Sequence, residues 1–242
     1  MPIGARRQNT EIRIQNEFHS KPGCGMRNVA RVSPPALRAG AGNNSCPPRD
    51  MPLQLLMIVR PHAPLLTVAE YKNLPEAGPR YQLIEGDLYM APAPNRFHQD
   101  ISRNLLGALD RYLETNPIGI LYDAPFDVYL TDIDVFQPDL IVVLNANRFI
   151  LTEAGAEGPP DFVIEILSPK TRQLDLVNKK RVYARLGVKE LWIIDPEAGA
   201  VAVHRFEQNP ADPVDIWTES DTANSPLVPG FSMKVASIFR RP

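Results

Sequence analysis

Residues 137–144 read QPDLIVVL, and residues 158–195 read GPPDFVIEILSPKTRQLDLVNKKRVYARLGVKELWIID. The apolar runs at 140–144 and 162–167 have the length and β-branched content of buried strands. Each carries one acid: Asp139 opens the first run and Glu165 sits inside the second. A carboxylate in an apolar strand is costly unless a base or a metal ion compensates it. Lys170, Arg172, Lys179, Lys180 and Arg181 follow closely. Two strand-borne carboxylates with basic residues behind them suggest a divalent-metal site serving a phosphate substrate.

The same stretch predicts strand, loop, strand, helix, strand. A helix is expected over 171–187, with Leu176, Tyr183 and Leu186 facing one way and Arg172, Lys179 and Arg185 on a polar side. Gly187 is a natural stop. Residues 190–195 read as the next strand, 196–199 as a turn, and 201–206 as a strand pairing back in a meander. This order makes the chain α/β.

Upstream, Ile101, Leu105, Leu106, Leu109 and Leu113 recur at helical spacing, which predicts an amphipathic helix over 97–116 with His98 in its first turn. Strands are expected at 120–122 and 126–130, and Asp132 and Asp134 lie in the connection that follows. Residues 81–90 read as a hairpin about Gly86. Thr67 with Glu70 forms a capping-box pattern opening a short helix to about residue 74. The tail from 226 to 239 is apolar enough to pack, but its pattern specifies no element.

Residues 1–60 have another character, with Gly, Pro, Asn and Ser clustered between 33 and 52 and no sustained period. Such a segment buries too little apolar area to offset its ordering entropy, so a disordered leader is expected. A mis-assigned translation start is the competing reading, since Met51 and Met57 stand just ahead of the first patterned segment. The folded domain is expected over 61–242.

The 242 residues carry a formal net charge of −2, which argues against a surface coated in basic residues for nonspecific nucleic-acid binding but leaves room for a local basic groove. Cys24 and Cys46 have no metal-ligand spacing, so a reducing cytoplasm is expected rather than a disulfide-built scaffold. No apolar run approaches the roughly 20 residues that span a bilayer, so no membrane partner is expected.

Pro138-Asp139, then Glu165-Ile-Leu-Ser-Pro-Lys-Thr-Arg172, Asp175, Lys179, Tyr183 and Glu190-Leu-Trp-Ile-Ile-Asp195-Pro196 resemble the Uma-two family. That family consists of endonuclease-like proteins of the PD-(D/E)xK restriction-endonuclease-like superfamily. Tyr81-Gln-Leu-Ile-Glu85-Gly86, and Pro92-Ala-Pro94 followed by His98, are similar too, so the resemblance covers about residues 65–206. It implies a restriction-endonuclease-like mixed central β-sheet flanked by α-helices, and metal-dependent hydrolysis of DNA phosphodiester bonds. The implied cofactor is Mg²⁺, with Mn²⁺ as a substitute. Hard cations of this kind take one or two carboxylates with water and substrate phosphate.

On that resemblance Asp139 and Glu165 are the metal ligands, and Glu85 completes the metal shell from another element. The plain reading of Asp139 is a turn carboxylate bonded to backbone; of Glu165, a buried ion pair with Arg172 or Lys179; of Glu85, a hairpin-turn acid. The superfamily lysine, two residues after the glutamate, is replaced here by Leu167. Lys179 is similar to the family's helical lysine and is the preferred catalytic lysine, assisting the attacking water, with Lys170 as the competitor. His98 and Lys170 are candidate phosphate contacts, and His98 is otherwise a capping or packing residue. Asp175 reads as an early-helix acid, and Tyr183 and Trp192 as core aromatics. The missing lysine motivates an alternative: a catalytically silent nucleic-acid-binding or interaction module of the same fold. Cutting both strands is compatible with a homodimer.

Overall fold

The computed structural model describes residues 65–74, 80–169, 172 and 174–242. The leader expected over 1–60 and the loop residue Lys170 lie outside the described residues.

Helix α1 (Val68–Tyr71) begins at the foreseen capping box: Thr67 N–H donates to the Glu70 carboxylate at 2.8 Å, and Glu70 N–H donates to the Thr67 hydroxyl at 3.4 Å. It ends short of the expected residue 74. Strands β1 (Arg80–Ile84) and β2 (Asp87–Ala91) form the hairpin. Its Gly86 has φ +81°, and a Cβ there would lie 2.6 Å from Leu65, so the turn requires glycine. Helix α2 (Arg96–Thr115) starts at Asn95, whose side chain accepts from the His98 N–H at 2.9 Å. It buries Ile101, Leu105, Leu109 and Leu113 along one stripe.

Strands β3 (Gly119–Asp123), β4 (Val128–Thr131), β5 (Asp134–Phe136) and β6 (Leu140–Leu144) follow. After a 3-10 turn at Asn145–Ile150 come β7 (Leu151–Thr152), β8 (Gly155–Glu157) and β9 (Phe162–Ile166). A π-helical turn, Leu174–Lys179, runs directly into α3 (Lys180–Leu186), which ends at Gly187 in the left-handed conformation. The single helix expected over 171–187 is therefore wound in two ways. Strands β10 (Glu190–Asp195) and β11 (Ala200–Arg205) form the expected meander, β12 (Asp215–Trp217) and β13 (Thr222–Asn224) follow, and the tail contributes β14 (Ser232–Lys234) and α4 (Val235–Ile238).

The described strands form two six-stranded sheets and a separate pair. The main sheet has the order β12-β11-β10-β9-β6-β3, parallel at β9–β10 and antiparallel elsewhere. The parallel pair is joined through α3, as a crossover connection requires. The second sheet has the order β2-β1-β5-β4-β8-β7.

Alternation along the central strands divides the interior in two. Leu140, Val142, Phe162, Ile164, Trp192 and Ile194 face α2 and the C-terminal elements. Ile141, Val143, Val163, Leu191 and Ile193 face the other way, packing with Tyr183 and Val182 of α3 and with Ile84, Val128 and Phe136 of the second sheet. Asp139 and Glu165 share parity with Ile141 and Val163. Both acids therefore belong to the face that carries α3.

Candidate active site

The β6–β9 ladder pairs Leu140 with Ile164 and Ile141 with Val163. Continued one residue, that register sets Asp139 opposite Glu165, at the end of the ladder where the strands open onto a cleft of about 480 Å³. Asp139 is fixed at both oxygens. The Ile166 N–H donates to Oδ2 at 2.7 Å, and His98 Nε2 lies 3.3 Å from Oδ1. His98 reaches it because the Asn95 cap anchors the first turn of α2 over the strand ends.

Glu165 is 3% exposed. Lys179 Nζ lies 3.1 Å from its Oε1 and 3.2 Å from its Oε2, and the Tyr183 hydroxyl donates to Oε1 at 2.7 Å. Lys179 also stands 3.0 Å from Asp175 Oδ1, an ionic approach without hydrogen-bond alignment, since that oxygen is buried and makes no directed bond. Asp175, Lys179 and Tyr183 follow one another at four-residue intervals, so one face of the π turn and α3 brings all three to Glu165. A π turn at this point fits the tendency of such irregularities to occur at functional sites.

The placement of Lys179 on a polar, outward side is corrected: it is 2% exposed. The buried ion pair foreseen for Glu165 exists, and its partner is Lys179. Arg172 turns instead to Asp195, at 2.7 Å. Leu167 shares parity with Glu165 and is buried in the second core cluster, so the superfamily's lysine position is filled by packing.

Glu85 is not brought to this cluster. It sits in the hairpin turn with φ 52°, pairs with Arg181, and does not line the cleft. The acid that does join the cluster is Asp175, which the sequence places within the family resemblance but explains locally as an early-helix charge. Its spacing from Lys179 was the available signal. Tyr183 is the core aromatic expected, but its hydroxyl has the second task of holding Glu165.

The cleft holds four carboxylates, Asp123, Asp139, Glu165 and Asp175, against Lys179 and Arg80. Burial, then the neighbouring Asp175 and Asp139 charges, push the Glu165 carboxyl up against the opposing pull of Lys179. For Lys179, burial acts downward, but Asp175 and Glu165 outweigh it and raise the ammonium above its ordinary range. The pair is thus a retained ammonium beside an acid that the surplus charge drives toward protonation. Burial also disfavours charge on His98, yet its bond to Asp139 and the Asp139 and Glu165 charges raise it. Tyr183 is held well above the usual phenol value by burial and by Glu165.

Among the described residues no group of three His, Cys, Asp or Glu side chains is arranged to hold a metal ion. A protein cage of the zinc type is not built here. Mg²⁺ asks less, since it keeps several waters and takes one or two carboxylates. Asp139 and Glu165 fit that demand. An ionised carboxylate has about four acceptor positions, and Glu165 receives three contacts. The surplus of carboxylates points the same way.

A family model described as "Uma2: Putative restriction endonuclease" matches residues 68–236. The chain belongs to the Uma2 family. With that membership comes a nuclease-like role. The chain is also similar to the crystal structure of "a putative nuclease belonging to DUF820" from Anabaena variabilis ATCC 29413. The TM-score is 0.62 at 21% identity, covering 72% of this chain and 97% of that one. That likeness bears on the fold alone, which is the restriction-endonuclease-like mixed α/β arrangement. No curated protein matches. Among the described residues of this Uma2 protein, no helix is long and apolar enough to cross a membrane.

Proposed function

We propose that this Uma2 protein is a Mg²⁺-dependent endonuclease that hydrolyses DNA phosphodiester bonds, with Asp139 and Glu165 holding the metal and Lys179 assisting the attack. What carries the reading is the charge of the cleft. Asp123, Asp139, Glu165 and Asp175 stand against Lys179 and Arg80, a surplus of acid that pushes Glu165 toward protonation and that a bound cation would relieve. Bound there, Mg²⁺ or Mn²⁺ would polarise a phosphoryl oxygen and lower the pKa of water, supplying a nucleophile at neutral pH.

The chain's own groups have separable tasks. Lys179 keeps its proton, so it acts as a donor and a positive charge toward the attacking water and the phosphate, not as a base. Tyr183, also protonated, holds the Glu165 carboxylate in place. His98 and the Ile166 N–H orient Asp139. Glu85 is left out of the metal set, because Arg181 engages it away from the cleft. DNA is the proposed partner and the reducing cytoplasm the proposed setting. Cutting both strands would pair two copies about a two-fold axis.

The test is nicking of supercoiled plasmid with Mg²⁺ and with EDTA. Nicking should require the metal and fall by roughly 100-fold or more in Glu165→Gln. Unchanged nicking in that variant contradicts the assignment. One observation favours the second reading, a silent nucleic-acid-binding module. Lys179 and Tyr183 already occupy Glu165, and Leu167 fills the superfamily's lysine position. DNA binding that is indifferent to metal, with no nicking, is its signature.

A further inference from the structure

A second cavity of about 200 Å³ adjoins the catalytic cleft. Asn95, His98, Ser168 and Pro169 line both, so the two spaces share a wall, and His98 is the residue that touches Asp139. We propose that this smaller cavity binds an unstacked nucleobase of the nucleotide beside the cleaved bond, a role that rests on the nuclease reading above.

The lining has a mixed character. Phe97, Leu167 and Pro196 give it apolar walls. Phe97 packs its inner side against the main core, and the Arg241 guanidinium lies over its ring, 4.1 Å from the centroid. A guanidinium stacked on an aromatic ring presents a flat, weakly hydrated plane. Such planes are what unpaired bases stack on.

Charge separates a base from a phosphate. Arg172 and Arg241 are balanced by Asp195 and Glu197, so the cavity lacks the positive excess that a phosphate demands. Arg172 is already engaged, 2.7 Å from Asp195 and 4.0 Å from Glu197. A neutral, flat ligand suits these walls better.

The less occupied acceptor sets a preference among bases. Asp195 is the more heavily engaged acid: Arg172 donates to one oxygen, and the Glu197 and Ala198 N–H groups donate to the other at 3.0 and 3.2 Å. Glu197, with 72% of its side chain exposed, remains able to accept. A carboxylate acceptor selects a base with an exocyclic amine, cytosine above all, over thymine. Because a stacked, paired base must first be extruded, single-stranded or unpaired DNA should be favoured over intact duplex.

The experiment uses the full chain and fluorescein-labelled 12-nucleotide probes, oligo(dC) and oligo(dT), with non-cleavable phosphorothioate linkages, and binding is followed by anisotropy in Ca²⁺, a hard cation that neutralises the cleft's carboxylates. Plasmid nicking with Mg²⁺ is run on the same preparations. A 2-aminopurine placed centrally in an oligo(dC) probe reports stacking directly. Wild type should bind oligo(dC) more tightly than oligo(dT), and the 2-aminopurine emission should change on binding.

Arg241→Ala should weaken oligo(dC) binding roughly 5-fold or more and abolish the emission change. Glu197→Gln should narrow the difference between the two probes while keeping the emission change. Both positions are at the surface, so neither variant threatens the fold. If both variants bind and report like wild type, the base site is wrong, and nicking in the same tubes leaves the nuclease reading standing. If no protein nicks DNA, yet the emission change depends on Arg241, the base site stands and the nuclease reading falls.

Discussion

Asp139 and Glu165 face each other across the β6–β9 ladder, one residue beyond its last paired residues, Leu140 and Ile164, and on the α3 face of the sheet. Like charges directly opposite on paired strands destabilise a sheet. With both groups ionised, this arrangement has a cost that a bound cation would relieve. Asp139→Asn keeps an acceptor for the Ile166 N–H and removes the repulsion. At pH 9, where the Glu165 carboxyl is ionised, it should stabilise the metal-free protein by about 0.2–1 kcal/mol in urea unfolding, and it should abolish nicking. Loss of both stability and activity would mean that Asp139 is a structural residue.

Lys179 is the ammonium on which Glu165 and Asp175 both depend. Lys179→Met removes the positive partner and leaves two buried acids, which should cost about 3–5 kcal/mol in urea unfolding. Protonation of Glu165 offsets part of that loss, so the penalty should shrink toward low pH. A penalty that is small at every pH would show that the ammonium does not compensate the acids.

The metal-free protein should have a pH optimum with two identifiable arms. Glu165 has a folded-state value raised above 4.5 by burial, so its contribution is full below 4.5 and is lost as pH rises through the raised value. His98, also raised, acts in the same direction above 6.5. His204 does the opposite. Burial, with Lys180 nearby, lowers it to about 4, so its contribution is full above 6.5 and is lost as pH falls toward 4. Thermal melts across pH 4–9 should show the alkaline arm flattened in Glu165→Gln, and the acid arm flattened in His204→Phe. Mg²⁺ should stabilise wild type more as pH rises.

The carboxylate pair and its fold context were legible in the sequence because the signals were strand-local. An acid at the mouth of one apolar run, and another inside the next, is visible without coordinates. The register of β6 against β9, which no sequence pattern states, then places both on one face. The four-residue spacing of Asp175, Lys179 and Tyr183 was visible too, but Asp175 and Tyr183 each had a sufficient local explanation, as dipole charge and core aromatic, that hid their convergence on Glu165. Glu85 shows the reverse. Its position before Gly86 suggested a ligand, whereas the side chain's partner, Arg181, lies 96 residues away and no local pattern announces it. The second sheet was legible only in part, in its hairpin and in β4, for a related reason. Strands β7 and β8 are two and three residues long, too short for any period to register.

Glu190 is a buried acid of another kind. It is 1% exposed, accepts from Trp192 Nε1 at 2.6 Å and Arg205 Nε at 3.0 Å, and stands outside the cleft. Arg205→Ala strands that carboxylate in the core. It should lower stability by about 3–5 kcal/mol while leaving the nicking rate of the folded fraction unchanged at low temperature. A specific loss of nicking with stability intact would place Glu190 in the chemistry instead.

The decisive measurement is calorimetric titration of Mg²⁺ and Mn²⁺ into wild type and Asp139→Asn, with plasmid nicking on the same samples. Wild type should bind metal and nick, and the variant, still folded, should do neither. Nicking and metal binding that survive in Asp139→Asn would contradict a metal site built on Asp139 and Glu165.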